Sequence, residues 1–186
     1  MSGPRKTAIV TGASQGIGAG IVNAFVERGF NVVANSRKVT QSAEVAASSQ
    51  VALVDGHIGE PATAAKIVET ALSRFKSIDA LVNNAGIFMT KPFTDYTVED
   101  FKSLVSTNIE GFLYVTQLSI KQMLAQKTGG SIVTITAALA RNPIRGVTAA
   151  VPMITKGGLE TITQHLAEDG IVVTKTLAAF RRDKFL

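Results

Sequence analysis

Three glycines in the run Thr11-Gly12-Ala13-Ser14-Gln15-Gly16-Ile17-Gly18 are spaced for phosphate binding. The apolar run Thr7-Ala8-Ile9-Val10 before them reads as a buried strand. After them Ile17, Ile21, Val22, Phe25 and Val26 recur at helical spacing. Gly29 stands where that helix should stop, and Asn31-Val32-Val33-Ala34 restarts as a strand. In a strand–turn–helix unit of this kind, glycines let the backbone turn tightly and approach a pyrophosphate. The helix N-terminus supplies unpaired N–H groups and the positive end of its dipole. The strand before and the helix after separate this pattern from a turn that merely packs well. The chemistry it points to is dinucleotide binding.

The remaining elements must hold that turn in place. The short segment 39–49 is rich in Ala and Ser and reads as helix or loop, and Val51-Ala52-Leu53-Val54-Asp55 reads as a third strand. Pro61, favourable in a first helical turn, opens a helix with Ile67, Val68, Ala71, Leu72 and Phe75 on one face. Residues 78–82 form a fourth strand ending in Asn83-Asn84-Ala85-Gly86. Thr97 is an N-cap for a long helical pattern from Val98 to about Gln126, carrying Phe101, Leu104, Val105, Phe112, Val115, Leu118 and Met123. Gly129-Gly130 break it, residues 131–136 form a fifth strand, and a last helix contains Ile154, Leu159, Ile162 and Leu166. Strands alternating with helices predict an α/β, Rossmann-type doubly wound, mostly parallel sheet with helices on both faces. Ligands in such sheets bind at the carboxyl ends of the strands, beside the switch point.

Length and composition fit one domain over residues 1–186: 46% of residues are hydrophobic and 18% charged. With no cysteine there is no disulfide framework and no thiolate metal site, so metal ligands are expected to be none. The net charge of +5 is scattered over Arg5-Lys6, Arg37-Lys38, Arg141, Arg145 and the 181–184 stretch, and is not interleaved with aromatic residues. That distribution argues against a nucleic-acid partner. Neither a signal-like opening nor a membrane-length apolar run is present, so the expectation is a cytoplasmic protein with no membrane partner.

The motifs Thr11-Gly12-x-x-x-Gly16-Ile17-Gly18, Asn83-Asn84-Ala85-Gly86, Asn108 with Gly111, and Lys156-Gly157-Gly158-Leu159 stand in one order over residues 7 to about 167. In this the chain resembles the short-chain dehydrogenase/reductases. The resemblance implies a nicotinamide dinucleotide, hydride transfer between that cofactor and a carbonyl or alcohol, and a homo-dimer or homo-tetramer paired through the helices beginning near Val98 and Met153. It assigns Gly12, Ser14, Gln15, Gly16, Ile17, Gly18, Ser36, Arg37, His57, Ile58, Asn84, Ala85, Gly86 and Lys156 to the cofactor, and Asn108 and Lys156 to catalysis. Where NAD-preferring relatives carry an acid after the second strand, this chain has Ser36 followed by Arg37 and Lys38. A guanidinium pairs with a 2′-phosphate that a carboxylate would repel, so NADP(H) is preferred over NAD(H). His57 stands where relatives carry Asp near the adenine, and a neutral imidazole there offers one acceptor. Gly157 and Gly158, costly inside a helix, point to close packing beside Lys156.

The catalytic set departs from the pattern. The family tyrosine precedes the lysine by four residues, and that place is Pro152; the family serine falls among Ala137, Ala138 and Leu139. Thr136 is one residue early, and strand alternation sends it to the other face. Tyr96 and Tyr114 are the available tyrosines, of which Tyr96 is the less remote substitute acid. The family's substrate-covering region has no counterpart after residue 167 and is expected to be truncated. Residues 170–174 read either as a sixth strand after a shortened helix or as the segment beyond the family's usual Pro-Gly turn. Two functions are therefore expected: an NADP(H)-dependent oxidoreductase with an atypical site, or a catalytically impaired dinucleotide-binding sensor or partner subunit.

Overall fold

The computed structural model describes residues 4–168 and 173–178. Six parallel strands form one sheet: β1 (Thr7–Thr11), β2 (Asn31–Ser36), β3 (Val51–Asp55), β4 (Ala80–Asn83), β5 (Ser131–Thr136) and β6 (Val173–Ala178). Their spatial order is β3-β2-β1-β4-β5-β6, so chain direction across the sheet reverses between β1 and β4. This is the doubly wound arrangement expected from the alternating elements, with its switch point after β1 and β4. Residues 170–174, read as a possible sixth strand, fall partly outside the described residues; the strand itself begins at Val173 and pairs with Ile132 of β5.

Period-two alternation divides the strand side chains between two apolar layers. Ile9, Val33, Leu81 and Ile132 pack with Ile67 and Ala71 of α2 (Pro61–Phe75) and with Val115 and Met123 of α4 (Gly111–Ala125). Val10, Val32, Val82 and Ile135 pack with Ala19 and Val22 of α1 (Gly16–Glu27). Burial on both faces is why these strands read as nearly continuous apolar runs. Gly29 ends α1 with φ +80°, a left-handed conformation that costs glycine little.

Two expectations need correction. Ile17, placed on the apolar face of α1, is instead 39% exposed at the helix start. The long pattern from Val98 is three pieces: α3 (Val98–Leu104), a π-helical turn (Val105–Glu110) and α4. The wider turn inserts one residue into the helical register and carries Asn108, buried at 1% exposure. A π-bulge of this kind re-aims the side chains it carries.

The start of α3 is held by a capping box: Asp100 N–H donates to Thr97 Oγ1 at 3.1 Å, and Thr97 N–H donates to Asp100 Oδ2 at 2.9 Å. Replacing Thr97 by alanine removes one of these bonds and is expected to cost about 1 kcal/mol. Urea denaturation followed by circular dichroism would show it as a lower midpoint at unchanged slope.

Candidate active site

The glycine turn is locked to the end of β4 by hydrogen bonds that leave no room for side chains. Asn84 Nδ2 donates to the carbonyls of Thr11 and Gly12 at 2.9 and 3.0 Å. Thr11 Oγ1 accepts from the N–H groups of Asn84 and Ala85 at 3.1 and 3.0 Å. Gly12 has φ +65°, and a Cβ on Gly18 would lie 2.2 Å from the Gly12 carbonyl oxygen. The α1 N-terminus has neither a side-chain cap nor an acid in its first turn. Its Gly16 N–H is bonded instead by Glu44 Oε2 at 3.0 Å. Ser42 Oγ donates to Ser14 O at 2.6 Å, drawing the segment after β2 against the turn. Thr40 hydrogen-bonds Asp55 through its hydroxyl and its amide, and these bonds hold that carboxyl below the usual carboxylate range.

A second cluster gathers beyond β4 and β5. Asn108 Oδ1 accepts from Ile87 N–H at 2.8 Å, while its Nδ2 donates to Ile87 O at 3.1 Å and to Thr155 Oγ1 at 2.9 Å. Thr155 Oγ1 in turn donates to Pro152 O at 2.8 Å. Both residues lie in α5 (Ala150–Glu168), where Pro152 occupies the first turn and an N–H would go unused. Lys156 Nζ donates to Ile135 O at 3.1 Å, and the residue is only 8% exposed. Burial pulls its pKa down to about 8. A Cβ on Gly86 would lie 2.8 Å from Lys156 Nζ and 3.2 Å from Asn108 Oδ1. A residue without a side chain is what lets the amine and the amide converge.

One cleft of about 500 Å³ joins the two clusters. Of the residues assigned from the sequence, Gly12, Gln15, Ile17, Gly18, Arg37, Asn84, Ala85, Gly86 and Lys156 line it. Ser14, Gly16 and Ser36 are not among the residues that line it, Gly16 being exposed at the start of α1; Ser36 O accepts from Gly56 N–H at 3.1 Å. Ile58 is a core side chain packed against Gly111, and Asn108 borders a small neighbouring cavity with it. His57 does not present a free acceptor. Its Nδ1 accepts from Gly59 N–H at 3.2 Å, which puts the hydrogen on Nε2, 3.3 Å from Thr107 Oγ1. Tyr96 OH donates to Met89 O at 2.8 Å, and Tyr114 packs beside the α2–α4 apolar layer, so neither tyrosine lines the cleft. Gly157 and Gly158 do not pack closely: a Cβ on either meets nothing within 4 Å among the described residues.

A parallel α/β sheet with a glycine turn and a cleft at its switch point defines a nucleotide-binding protein of the doubly wound class. The model of the short chain dehydrogenase family matches residues 6–174. The chain belongs to the short-chain dehydrogenase/reductase family. An uncharacterized oxidoreductase of Methylorubrum extorquens is 34% identical over 170 residues, 88% of this chain and 66% of that protein. A 3-oxoacyl-[acyl-carrier-protein] reductase of Synechocystis is 29% identical over 94% of this chain and 74% of its own length. Among solved structures, a 3-ketoacyl-(acyl-carrier-protein) reductase of Brucella melitensis in complex with NADH superposes with TM-score 0.81 at 28% identity, covering 89% of this chain and 70% of that one.

The tie that the Thr11 hydroxyl makes to β4, and the part played by Glu44, were not read from the sequence. Thr11 carried a signal, since a hydroxyl at the last position of β1 faces the partner strand's end. Glu44 carried none, because only the folded path of the segment after β2 brings it to Gly16.

Proposed function

We propose that this chain is an NADP(H)-dependent oxidoreductase moving hydride between the nicotinamide and a small carbonyl or alcohol substrate, over one domain spanning residues 1–186. The observation that carries the reading is the continuous cleft running from the glycine turn and Arg37 to Lys156. The backbone-tight turn fits a pyrophosphate, and the exposed Arg37 at the same end fits a 2′-phosphate. When bound, the nicotinamide supplies the hydride. Asn84 and Thr11 hold the turn in shape, Asn108 fixes the backbone at Ile87, and Lys156 presents its amine where that backbone and β5 meet.

Fluorescence titration of NADPH and NADH tests the cofactor assignment. The wild type should bind NADPH more tightly, and Arg37→Asp should weaken NADPH by roughly 10–100-fold while leaving NADH little changed, the size of a lost charge-assisted pair. Equal affinities in the wild type, or an indifferent Arg37→Asp, would exclude the phosphate contact.

Dinucleotide binding without turnover, as a sensor or partner subunit, is favoured by one observation: positions 137 and 152 carry no hydroxyl. Consumption of NADPH over a panel of aldehydes, ketones and quinones separates the two readings. A homo-oligomer is supported by Val98 and Ile154, 63% and 59% exposed on the two helices through which the family resemblance implies pairing.

A further inference from the structure

A carbonyl reductase needs a group that can give a proton to the substrate oxygen near neutral pH, and the cleft offers very few. Among the described residues its titratable side chains are Arg37 and Lys156. Arg37 does not release its proton and stands at the end of the glycine turn. Gln15 and Asn84 are amides. Thr136, expected to face away from the site, does line the cleft, but its Oγ1 is buried with no hydrogen-bond partner among the described residues, on the same alternation as Thr134, whose Oγ1 accepts from Thr163 of α5. We propose that Lys156 Nζ is itself the proton donor and acceptor of this site, in place of the hydroxyl that position 152 lacks. This rests on the oxidoreductase reading above.

The geometry suits that role. Nζ spends one donor on Ile135 O and leaves two in its charged form. The elements packed against it present no charge among the described residues: β5 brings Ile135 and Thr136, the β4 loop Gly86, the π turn Asn108. On α5 itself Glu160, one turn on, is paired with Arg141. With no carboxylate beside it, the ammonium is disfavoured by burial alone. In reduction the carbonyl carbon gains a hydride, with its two electrons, from a dihydronicotinamide that is thereby oxidised. The C=O π pair moves to oxygen, and that oxygen takes a proton from the Nζ ammonium, leaving a neutral amine that solvent reprotonates. Alcohol oxidation runs the same steps in reverse, with the neutral amine as base.

The test uses protein carrying [ε-13C]lysine, with Lys156→Arg and Lys156→Met variants checked for folding by circular dichroism. Without cofactor, one ε-carbon should titrate near pH 8 in the wild type and be missing from both variants. Arginine keeps the charge and the donors but cannot release a proton. Lys156→Arg should therefore lose roughly 10²–10⁴-fold in kcat while NADPH binding changes by less than roughly tenfold. Reduction by the wild type should fall above about pH 8 and alcohol oxidation should rise there. Turnover that survives in either folded variant, or an Nζ that titrates at the ordinary lysine value of 10.5, overturns the proposal alone. A wild type that binds NADPH and reduces none of the panel overturns the oxidoreductase reading, and this proposal with it.

Discussion

Alanine at position 18 is expected to destabilise the protein by about 3 kcal/mol and to weaken dinucleotide binding by roughly 10–100-fold. The added Cβ would sit 2.2 Å from the Gly12 carbonyl oxygen, 2.7 Å from Asn84 Nδ2 and 2.9 Å from Ala13 Cα. Two of these three contacts are backbone, and the third is the amide that itself ties the turn to β4, so no flexible side chain can yield. Relief requires α1 to move away from the turn, which separates the helix N-terminus from the phosphate position. Gly20, two residues further along α1, is the internal control. A Cβ there meets nothing within 4 Å, and Gly20→Ala should stabilise by about 0.5–1 kcal/mol through helix propensity. Urea denaturation of the two variants beside the wild type, with NADPH titrations, measures both effects. A Gly18→Ala protein as stable and as tight-binding as wild type would remove close backbone packing as the reason for glycine there.

The fold was legible because its strands are buried on both faces and bounded by turn residues. Residues 51–55 and 131–136 coincide with β3 and β5, since β-branched runs ended by Gly, Asp or Ala leave little freedom of placement. Apolar periodicity was less reliable where geometry changes without a change of composition. The π turn inside the pattern from Val98 leaves Leu104 and Val115 buried on either side, so the spacing alone looks like one helix. Ile17 has the spacing of a core residue but stands at the start of α1, where it lines the cleft. At the site, motif residues whose role is backbone geometry were readable from glycine and asparagine identity. Roles set by hydrogen-bond competition were not. His57 promised an acceptor that Gly59 N–H takes, and Glu44 reaches Gly16 only through the folded course of the loop. Pro152 illustrates both limits. Its loss of a hydroxyl was visible, whereas the use of its carbonyl to anchor Thr155, and through it Asn108, belongs to the fold.

The stability of this protein is expected to rise with pH between about 8 and 10.5 by an amount traceable to Lys156. The sign follows from which state holds the proton. In the unfolded chain the amine keeps the ordinary lysine value of 10.5, whereas burial in the fold lowers it to about 8. Below pH 8 both states are protonated and the fold bears the whole penalty of a buried ammonium. Within the window the unfolded chain binds more protons, so each step up in pH favours the fold; above 10.5 the penalty is gone. At about 1.4 kcal/mol per pH unit the full span is on the order of 3 kcal/mol. Lys156→Met removes the charge and also the bond to Ile135 O, itself worth about 1 kcal/mol, so the variant should be the more stable protein at pH 7 by about 2 kcal/mol. That advantage should shrink and reverse towards pH 10.5. Denaturation of both proteins across this range isolates the effect, because the other lysines and the tyrosines cancel in the difference. A difference that stays flat with pH would mean that Nζ is well solvated, and would remove the physical basis for its titrating near neutrality. The expected slope would instead identify a lysine whose buried position weakens the fold at neutral pH, the pattern of a residue placed for chemistry rather than for packing.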